Sequence, residues 1–225
     1  MPGDQPHISR LDNFVDGAFA FAVTLLVING SSVPRDIPSL LRALGGVPAF
    51  ACCFAQLAWF WHGHVRWRTR AQVGDRPSLL LSLLLVFFAL IFVYPLHMVY
   101  SACFYSLSGG VLSADFHAAA GAGYGVKALF VVFGLAFACM AGTLAALLDH
   151  GARRAPGLSP LERVGIHVDA ASWIYSAAVG LVSAAIALIV APDWIWLAGI
   201  SYALLGFMSP VLKMRRSRLR KSLAV

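Results

Sequence analysis

Long apolar stretches separated by short polar segments follow one another along the whole chain. A helical membrane crossing needs roughly 20 apolar residues, and six stretches approach or exceed that length. They cover Asn13 to Ile28, Leu40 to Trp61, Ser78 to Phe104, Val126 to Leu148, Ala170 to Ala191 and Trp194 to Leu212. The run from Leu79 to Val93 is continuously apolar and lacks the alternation of barrel strands. The pattern predicts an all-α membrane protein with a six-helix bundle.

Composition agrees with this assignment. Of the 225 residues, 60% are hydrophobic and 12% are charged, whereas soluble domains carry about 25% charged residues. So few charges cannot cover a water-soluble surface, and the excess apolar side chains must face lipid. We therefore predict one transmembrane domain over residues 1–212, followed by a basic tail over 213–225.

The basic residues predict the orientation of the bundle. With cytoplasmic N- and C-termini, fourteen Lys and Arg residues lie on the inner side and three on the outer side. The inner set includes Arg66, Arg68, Arg70 and Arg76 between spans two and three, Arg153, Arg154 and Arg163 between spans four and five, and the basic tail. Because the net charge of +7 is concentrated in this way, we interpret it as a topology signal and expect no nucleic-acid partner. The predicted location is the cell membrane, with membrane lipids as neighbours.

Arg10, Asp12 and Asp16 lie near the beginning of the first span. Charged residues within a membrane span are costly and usually functional. The alternative is a charged helix start, with carboxylates near the positive end of the helix dipole. The residues alone leave both interpretations open.

Further along, the first span has no ionisable residue. Phe21, Leu25 and Ile28 fall at i, i+4 and i+7 and share one helix face, which Thr24 borders. Such a stripe can face lipid or pack within a bundle, or it can form apolar constrictions around a symmetry axis, which gate by dewetting.

The first span also resembles the first helix of the transmembrane protein 175 family, which comprises potassium channels of lysosomes and prokaryotes. The matching residues are Arg10, Phe14, Asp16, Gly17, Phe19, Ala20, Ala22, Thr24, Leu25, Leu26 and Val27. More loosely, Trp59 and His62 resemble a Trp and a His late in the second helix of the family, and Pro95 resembles a proline in its third.

The resemblance implies a homotetramer in which the first helices line a central pore. Carried over by position, Phe21, Leu25 and Ile28 would form the pore constriction, and Thr24 would match the threonine tied to potassium selectivity. Arg10, Phe14, Asp16 and Gly17 would be the structural signature that holds this helix in place. Potassium is then the permeant ion, and no cofactor or metal is implied.

Two residues depart from the family pattern. Val15 stands where the family has a serine, so one hydroxyl is lost, and Phe21 stands where the narrowest ring usually has Ile or Leu. Four Phe rings around an axis would block the pore, change its selectivity or turn aside.

Other groups carry less information. The segment from Gly121 to Gly125 resembles a potassium-channel filter, but no pore helix precedes it, and we interpret it as an outer loop. His62, His97 and His167 are candidates for pH sensing, because the unperturbed histidine pKa lies near about 6.5, although hydrogen bonding within the bundle is the simpler role. Asp149 and His150 form a pair without a third partner in the sequence.

The sequence contains no nucleophile elbow, phosphate-binding loop or zinc-protease motif, so we do not expect an enzyme. Two hypotheses remain, a passive cation channel and an ion- or proton-coupled secondary transporter. A transporter requires ionisable groups near the membrane midplane, whereas the first, fourth and sixth spans have none at their centres.

Overall fold

The computed structural model describes residues 5–30, 34–113 and 124–206. In these ranges every regular element is a helix. The elements are α1 (Gln5–Gly30), α2 (Ile37–Gly45), α3 (Val47–Ala71), α4 (Arg76–Leu107), α5 (Tyr124–Arg154) and α6 (Pro160–Ile189). After a 3-10 turn at Pro192–Trp194 come the short helix α7 (Trp196–Ile200) and a second 3-10 turn at Ser201–Ala203.

Four helices in the described residues are long and apolar enough to cross a membrane, namely α1, α4, α5 and α6. The pair α2 and α3 counts as a fifth if it forms one span, although the two helices are bent by 45° relative to each other. The predicted sixth span begins within the short turns after Pro192, and its remainder lies outside the described residues, as does the basic tail. The all-helical membrane fold is thus confirmed, while the six-span count and the positions of the termini stay predictions.

The second predicted span, Leu40 to Trp61, is not one straight helix. It breaks at Gly46, and Pro48 lies within the first turn of α3, where the missing backbone N–H is tolerated. The helix then continues ten residues beyond Trp61, to Ala71. A run of apolar residues in the sequence predicts neither the bend at Gly46 nor the polar extension of α3 beyond Trp61.

The longer helices also change the position of the basic residues. Arg66, Arg68 and Arg70, predicted in a loop, lie on the last turns of α3. Likewise Arg153 and Arg154 end α5, and Arg163 lies in α6. The connections from α3 to α4 and from α5 to α6 are short. The arginines at the ends of α3 and α5 interact favourably with the negative ends of those helix dipoles.

The core of the bundle is built from aromatic rings where α3, α4, α5 and α6 meet. Phe60 is fully buried and packs edge-on against Phe92 and Phe137, with ring centroids 6.0 and 5.3 Å apart. Trp173 stacks on the other side of Phe60 at 5.4 Å. These contacts tie the first half of the chain to α5 and α6, so that the bundle forms one packed unit.

Helices α5 and α6 approach each other closely where glycines face one another. A Cβ atom added to Gly134 would lie 2.6 Å from the carbonyl oxygen of Gly180, and one added to Gly180 would lie 2.8 Å from the carbonyl oxygen of Gly134. Small residues allow this kind of backbone contact between membrane helices.

We therefore expect Gly134→Ala to destabilise the bundle by about 1–3 kcal/mol, because the two backbones must separate. Gly142→Ala on the same helix is the control, since an added Cβ there meets nothing within 4 Å, and it should be neutral or stabilise the helix by up to about 1 kcal/mol. Steric-trapping measurements of the free energy of unfolding in bicelles would compare them. Equal stability of both variants would show that the close approach does not constrain the fold.

Candidate functional site

The buried and exposed faces of α1 are sharply separated. Val15, Phe19, Ala22 and Leu26 are buried and recur every three to four residues, which is the helical repeat. This face packs on α4 and, to a lesser extent, on α3. The opposite side of α1 is exposed among the residues that the structure describes.

The exposed side forms a continuous stripe along the helix, which we call the α1 stripe. It consists of Phe14, Gly17, Phe21, Thr24 and Ile28, again at spacings of three and four residues. Phe14, Phe21 and Ile28 are 55%, 54% and 65% exposed. Only 22% of the apolar window of α1 is buried, against 39% to 67% in the other three long spans. A face this apolar must be covered by lipid or by further copies of the chain.

The predicted constriction residues are not equivalent in the structure. Phe21 and Ile28 lie on the α1 stripe, whereas Leu25 is half-buried at its edge and packs against the core. Thr24 lies on the stripe, and its hydroxyl donates a hydrogen bond of 3.1 Å to the carbonyl oxygen of Ala20. The side-chain hydrogen of Thr24 is therefore used within the helix, and the lone pairs of its oxygen remain available on the exposed face.

Two carboxylates fasten α1 to α3. Trp61 Nε1–H donates a hydrogen bond of 2.8 Å to Asp16 Oδ1. Four residues earlier, one helical turn away, Asp12 pairs with Arg68, whose Nε lies 3.0 Å from Oδ1 and 3.1 Å from Oδ2. Arg68 also donates to the carbonyl oxygen of Val73, which connects this ion pair to the turn before α4.

The position of Asp12 and Asp16 within α1 argues against one of the two interpretations, that of a charged helix start. Because the helix begins at Gln5, Asp12 and Asp16 lie two and three turns inside it and are not at its start. Of the proposed signature residues, Asp16 contacts another span, whereas Arg10, Phe14 and Gly17 are exposed. Asp12 was not predicted as an anchor, although Asp12 and Asp16 share one face of α1, and Trp61 and Arg68 share one face of α3.

A second cluster of charged residues lies beside the Asp12–Arg68 pair. Asp169 on α6 is nine-tenths buried and accepts from Arg66, at 2.9 Å, and from Arg70. His62, exposed on α3, lines the small cleft beside Arg66 and Asp169. This cluster connects the last turns of α3 to α6, just as the contacts of Asp12 and Asp16 connect α3 to α1.

The remaining histidines lie in separate places. His97 is half-buried on α4, and His167 is exposed on α6 with Nδ1 3.8 Å from Asp149 Oδ1. The predicted isolation of Asp149 and His150 is wrong, because Asp149 also pairs with Arg153 and His150 pairs with Asp75. Folding brings the turn before α4 next to the end of α5, which no local pattern indicates. The filter-like segment from Gly121 to Gly125 lies mostly outside the described residues.

Asp75 caps α4 and connects it to α5. Its Oδ1 accepts from the Ser78 backbone N–H at 3.1 Å, and its Oδ2 lies 2.7 Å from His150 Nε2. Burial acts to raise the pKa of this carboxyl, but the hydrogen bonds from Ser78 and His150 outweigh it and hold the pKa below its ordinary value.

Since the pKa of Asp75 is lower in the folded protein than in the unfolded chain, its contribution to stability is present above about pH 4 and is lost as the pH falls further. We expect Asp75→Asn to flatten the acid limb of the unfolding free energy. Because asparagine caps a helix about as well as aspartate, the cost at neutral pH should be at most about 1 kcal/mol, from the weaker contact with His150. Unfolding measured between mildly acidic and strongly acidic buffers tests this. An unchanged acid limb would contradict the assignment.

Comparisons with known proteins bear on the segment that contains α1, α3 and most of α4. Residues 10–95 match the family model described as the endosomal/lysosomal potassium channel TMEM175. The resemblance to the TMEM175 family is thereby confirmed. The matched TMEM175 segment contains both anchors of α1 and the whole α1 stripe.

Over 88 residues the chain is 34% identical to a protein from Marivirga tractuosa named potassium channel. This match covers 39% of the chain and 35% of that relative, so it spans about a third of the relative's length.

Two solved TMEM175 structures share the fold over nearly the whole chain. A variant of the potassium channel MtTMEM175, crystallised with a nanobody–MBP fusion protein, aligns with a TM-score of 0.74 at 23% identity and covers 93% of each chain. A lysosomal potassium-selective channel TMEM175 homolog from Chamaesiphon minutus aligns with a TM-score of 0.62 at 20% identity. This second alignment covers 91% of the present chain and 97% of the homolog. The fold similarity therefore extends beyond the TMEM175 segment.

Proposed function

We propose that the protein is a passive potassium channel of the cell membrane, in which four copies meet with the α1 stripe facing a central axis. The proposal is carried by one observation. The α1 stripe is exposed and apolar, while the opposite face of the same helix packs on α4 and α3. The relative from Marivirga tractuosa and both aligned structures are named as potassium channels or potassium-selective channels, which supports the same function here.

The composition of the α1 stripe favours a pathway over a lipid-facing surface. A lipid-facing stripe gains nothing from glycine or threonine, whereas Gly17 allows close approach and Thr24 presents an oxygen. Phe21 and Ile28 would form apolar rings on either side of Thr24, and Leu25 would border them. Narrow apolar rings exclude water and so close a pore without any charged group.

The charged residues of α1 would set the electrostatic field at one mouth of the pathway. Asp16 is exposed beside the stripe at the end where α1 is anchored, and Arg10 is exposed four residues before Phe14. Four copies around an axis would place a ring of Asp16 carboxylates nearer the constriction than a ring of Arg10 guanidinium groups, and an acidic ring raises the local cation concentration. Thr24 would then provide the oxygen ligands deeper in the pathway.

A coupled transporter is less well supported. Most ionisable residues in the described spans gather at one end of the bundle, where α3 and α5 end and α4 and α6 begin. There they pair with one another, Asp12 with Arg68, Asp169 with Arg66 and Asp75 with His150. Among the Asp, Glu, Lys, Arg and His residues of α4, His97 is the one that lies well inside the helix. This distribution leaves few ionisable side chains near the membrane midplane, where a coupled transporter needs them.

Flux from potassium-loaded vesicles tests the proposal. Purified protein is reconstituted, no valinomycin is added, and a protonophore provides charge balance. We expect fast potassium efflux that does not saturate with the gradient, requires no particular counter-ion, and exceeds sodium efflux under the same gradient. Efflux that stops when one specific counter-ion is withdrawn would establish a coupled transporter and overturn the channel.

A further inference from the structure

A large cavity opens at the end of the bundle away from the charged pairs, where α4 ends and α5 begins. Its volume is about 820 Å³ and it is partly open to the outside. Helices α3, α4 and α5 form three of its walls, and the segment from Ile195 to Leu205 forms the fourth. We call it the distal cavity. It is separate from the α1 stripe, because none of the described residues that line it belongs to α1.

The lining of the distal cavity is apolar, with a few polar groups at defined positions. Phe133 and Tyr202 pack edge to face at its deep end, with ring centroids 5.3 Å apart. On the wall formed by α3 and α4, Tyr100 Oη–H donates a hydrogen bond of 2.6 Å to Gln56 Oε1. Trp196 lies on the opposite wall, at the start of α7.

These properties are those of a ligand site. Pockets that hold small molecules measure about 300–1,000 Å³, are mostly apolar and contain a few placed polar groups. An apolar cavity of this size gains little from water, which needs two to four polar partners for each molecule. The occupant must therefore be largely apolar.

The position of the cavity identifies the occupant. Three of its walls belong to helices that are long and apolar enough to cross the bilayer, α4, α5 and, together with α2, α3. The molecules beside these walls are therefore lipids. We infer that the distal cavity holds one acyl chain of a membrane phospholipid. The chain fills the space beside Phe133 and Tyr202, while the ester groups lie near Trp196, a residue type that prefers the level of the headgroups. The inference does not rest on the proposed conduction.

Photolabelling tests the occupant directly. The full-length protein is reconstituted in phosphatidylcholine vesicles that contain a small fraction of phosphatidylcholine with a diazirine near the end of one acyl chain. After irradiation, mass spectrometry maps the adducts. We expect adducts at Gln56, Tyr100 and Cys103, which line the cavity, above the level at the exposed residue Leu80 of α4.

A variant that fills the cavity provides the matched comparison. Ala102 lines the cavity on α4, whereas Met98, one turn earlier, is exposed and does not line it. Ala102→Phe should lower labelling at Gln56 and Tyr100 by about tenfold, the loss expected when roughly two methylene groups are no longer buried. Met98→Phe should leave it unchanged.

If Ala102→Phe fails to fold, Gly199→Val fills the cavity from the opposite wall, where an added Cβ would meet the Phe130 ring at an ordinary distance of 3.5 Å. Labelling at Gln56 and Tyr100 no stronger than at Leu80, or unaffected by either filling variant, would overturn the inference. A photoreactive amino acid introduced at position 103 that cross-links to another part of the chain or to a second copy would also overturn the inference, since protein would then cover the cavity. Potassium flux of the unmodified protein is scored separately, so either idea can fail alone.

Discussion

Phe21→Ala is expected to raise potassium efflux from vesicles by about tenfold or more and to reduce the preference for potassium over sodium. Phe21 is 54% exposed on the α1 stripe, so its ring would project into the pathway in each of four copies. Removing four rings widens the constriction and lets water enter, and a barrier lowered by about 1.4 kcal/mol increases the rate tenfold.

The control for this variant is Phe19→Leu, which changes a buried phenylalanine two residues away on the face that packs on α4. A loss of packing there should lower stability without raising flux. Equal efflux from the Phe21→Ala variant and the unmodified protein, measured at equal reconstituted amounts, would remove Phe21 from the pathway.

Arg68→Met is expected to lower the free energy of unfolding by about 2–3 kcal/mol, the largest stability effect that the described contacts predict. The side chain of Arg68 is 10% exposed; its Nε–H donates to Asp12 Oδ2 at 3.1 Å, and its guanidinium group also donates to the carbonyl oxygen of Val73. Its loss would leave the Asp12 carboxylate without its positive partner in a low-dielectric environment. Because the pair fastens α1 to α3, potassium flux should fall together with stability.

Arg66→Met is the matched control on the same helix. Arg66 is 42% exposed, and Asp169 would keep its contact with Arg70, so the expected cost is at most about 1 kcal/mol. Steric trapping in bicelles would measure both variants. If the two arginine variants lost the same stability, the Asp12–Arg68 pair would not be the anchor of α1.

The position and apolar character of α1 could be predicted from sequence, because they follow from the helical repeat of one continuous segment. The periodicity also placed Phe21, Thr24 and Ile28 near one face. The periodicity does not predict that Leu25 is half-buried, because the width of the exposed face of α1 depends on where α3 and α4 pack against it. The rotation of a helix against its neighbours is a property of the whole bundle.

The anchors of α1 were harder to predict for a similar reason. Asp12 and Asp16 were visible as costly charges, but their partners Arg68 and Trp61 lie about fifty residues away on another helix. The same is true of His150, whose partner Asp75 comes from the turn before α4. The bend at Gly46 was not predicted, because a high apolar content indicates that a segment enters the membrane but does not indicate whether its helix is straight.

The central claim is that the α1 stripe faces a water-filled path shared by several copies of the chain. Reaction of silver ions with Thr24→Cys, in a background without native cysteines, tests it most directly. The native cysteines to be replaced are Cys52, Cys53, Cys103 and Cys139. Silver is a small monovalent cation that binds thiolates, so it reaches position 24 only where potassium also passes. Leu181→Cys, exposed on α6, is the lipid-facing control.

The account predicts that silver stops potassium efflux through the Thr24→Cys protein and leaves the Leu181→Cys protein conducting. Efflux through the Thr24→Cys protein that continues in silver as it does through the control would contradict it.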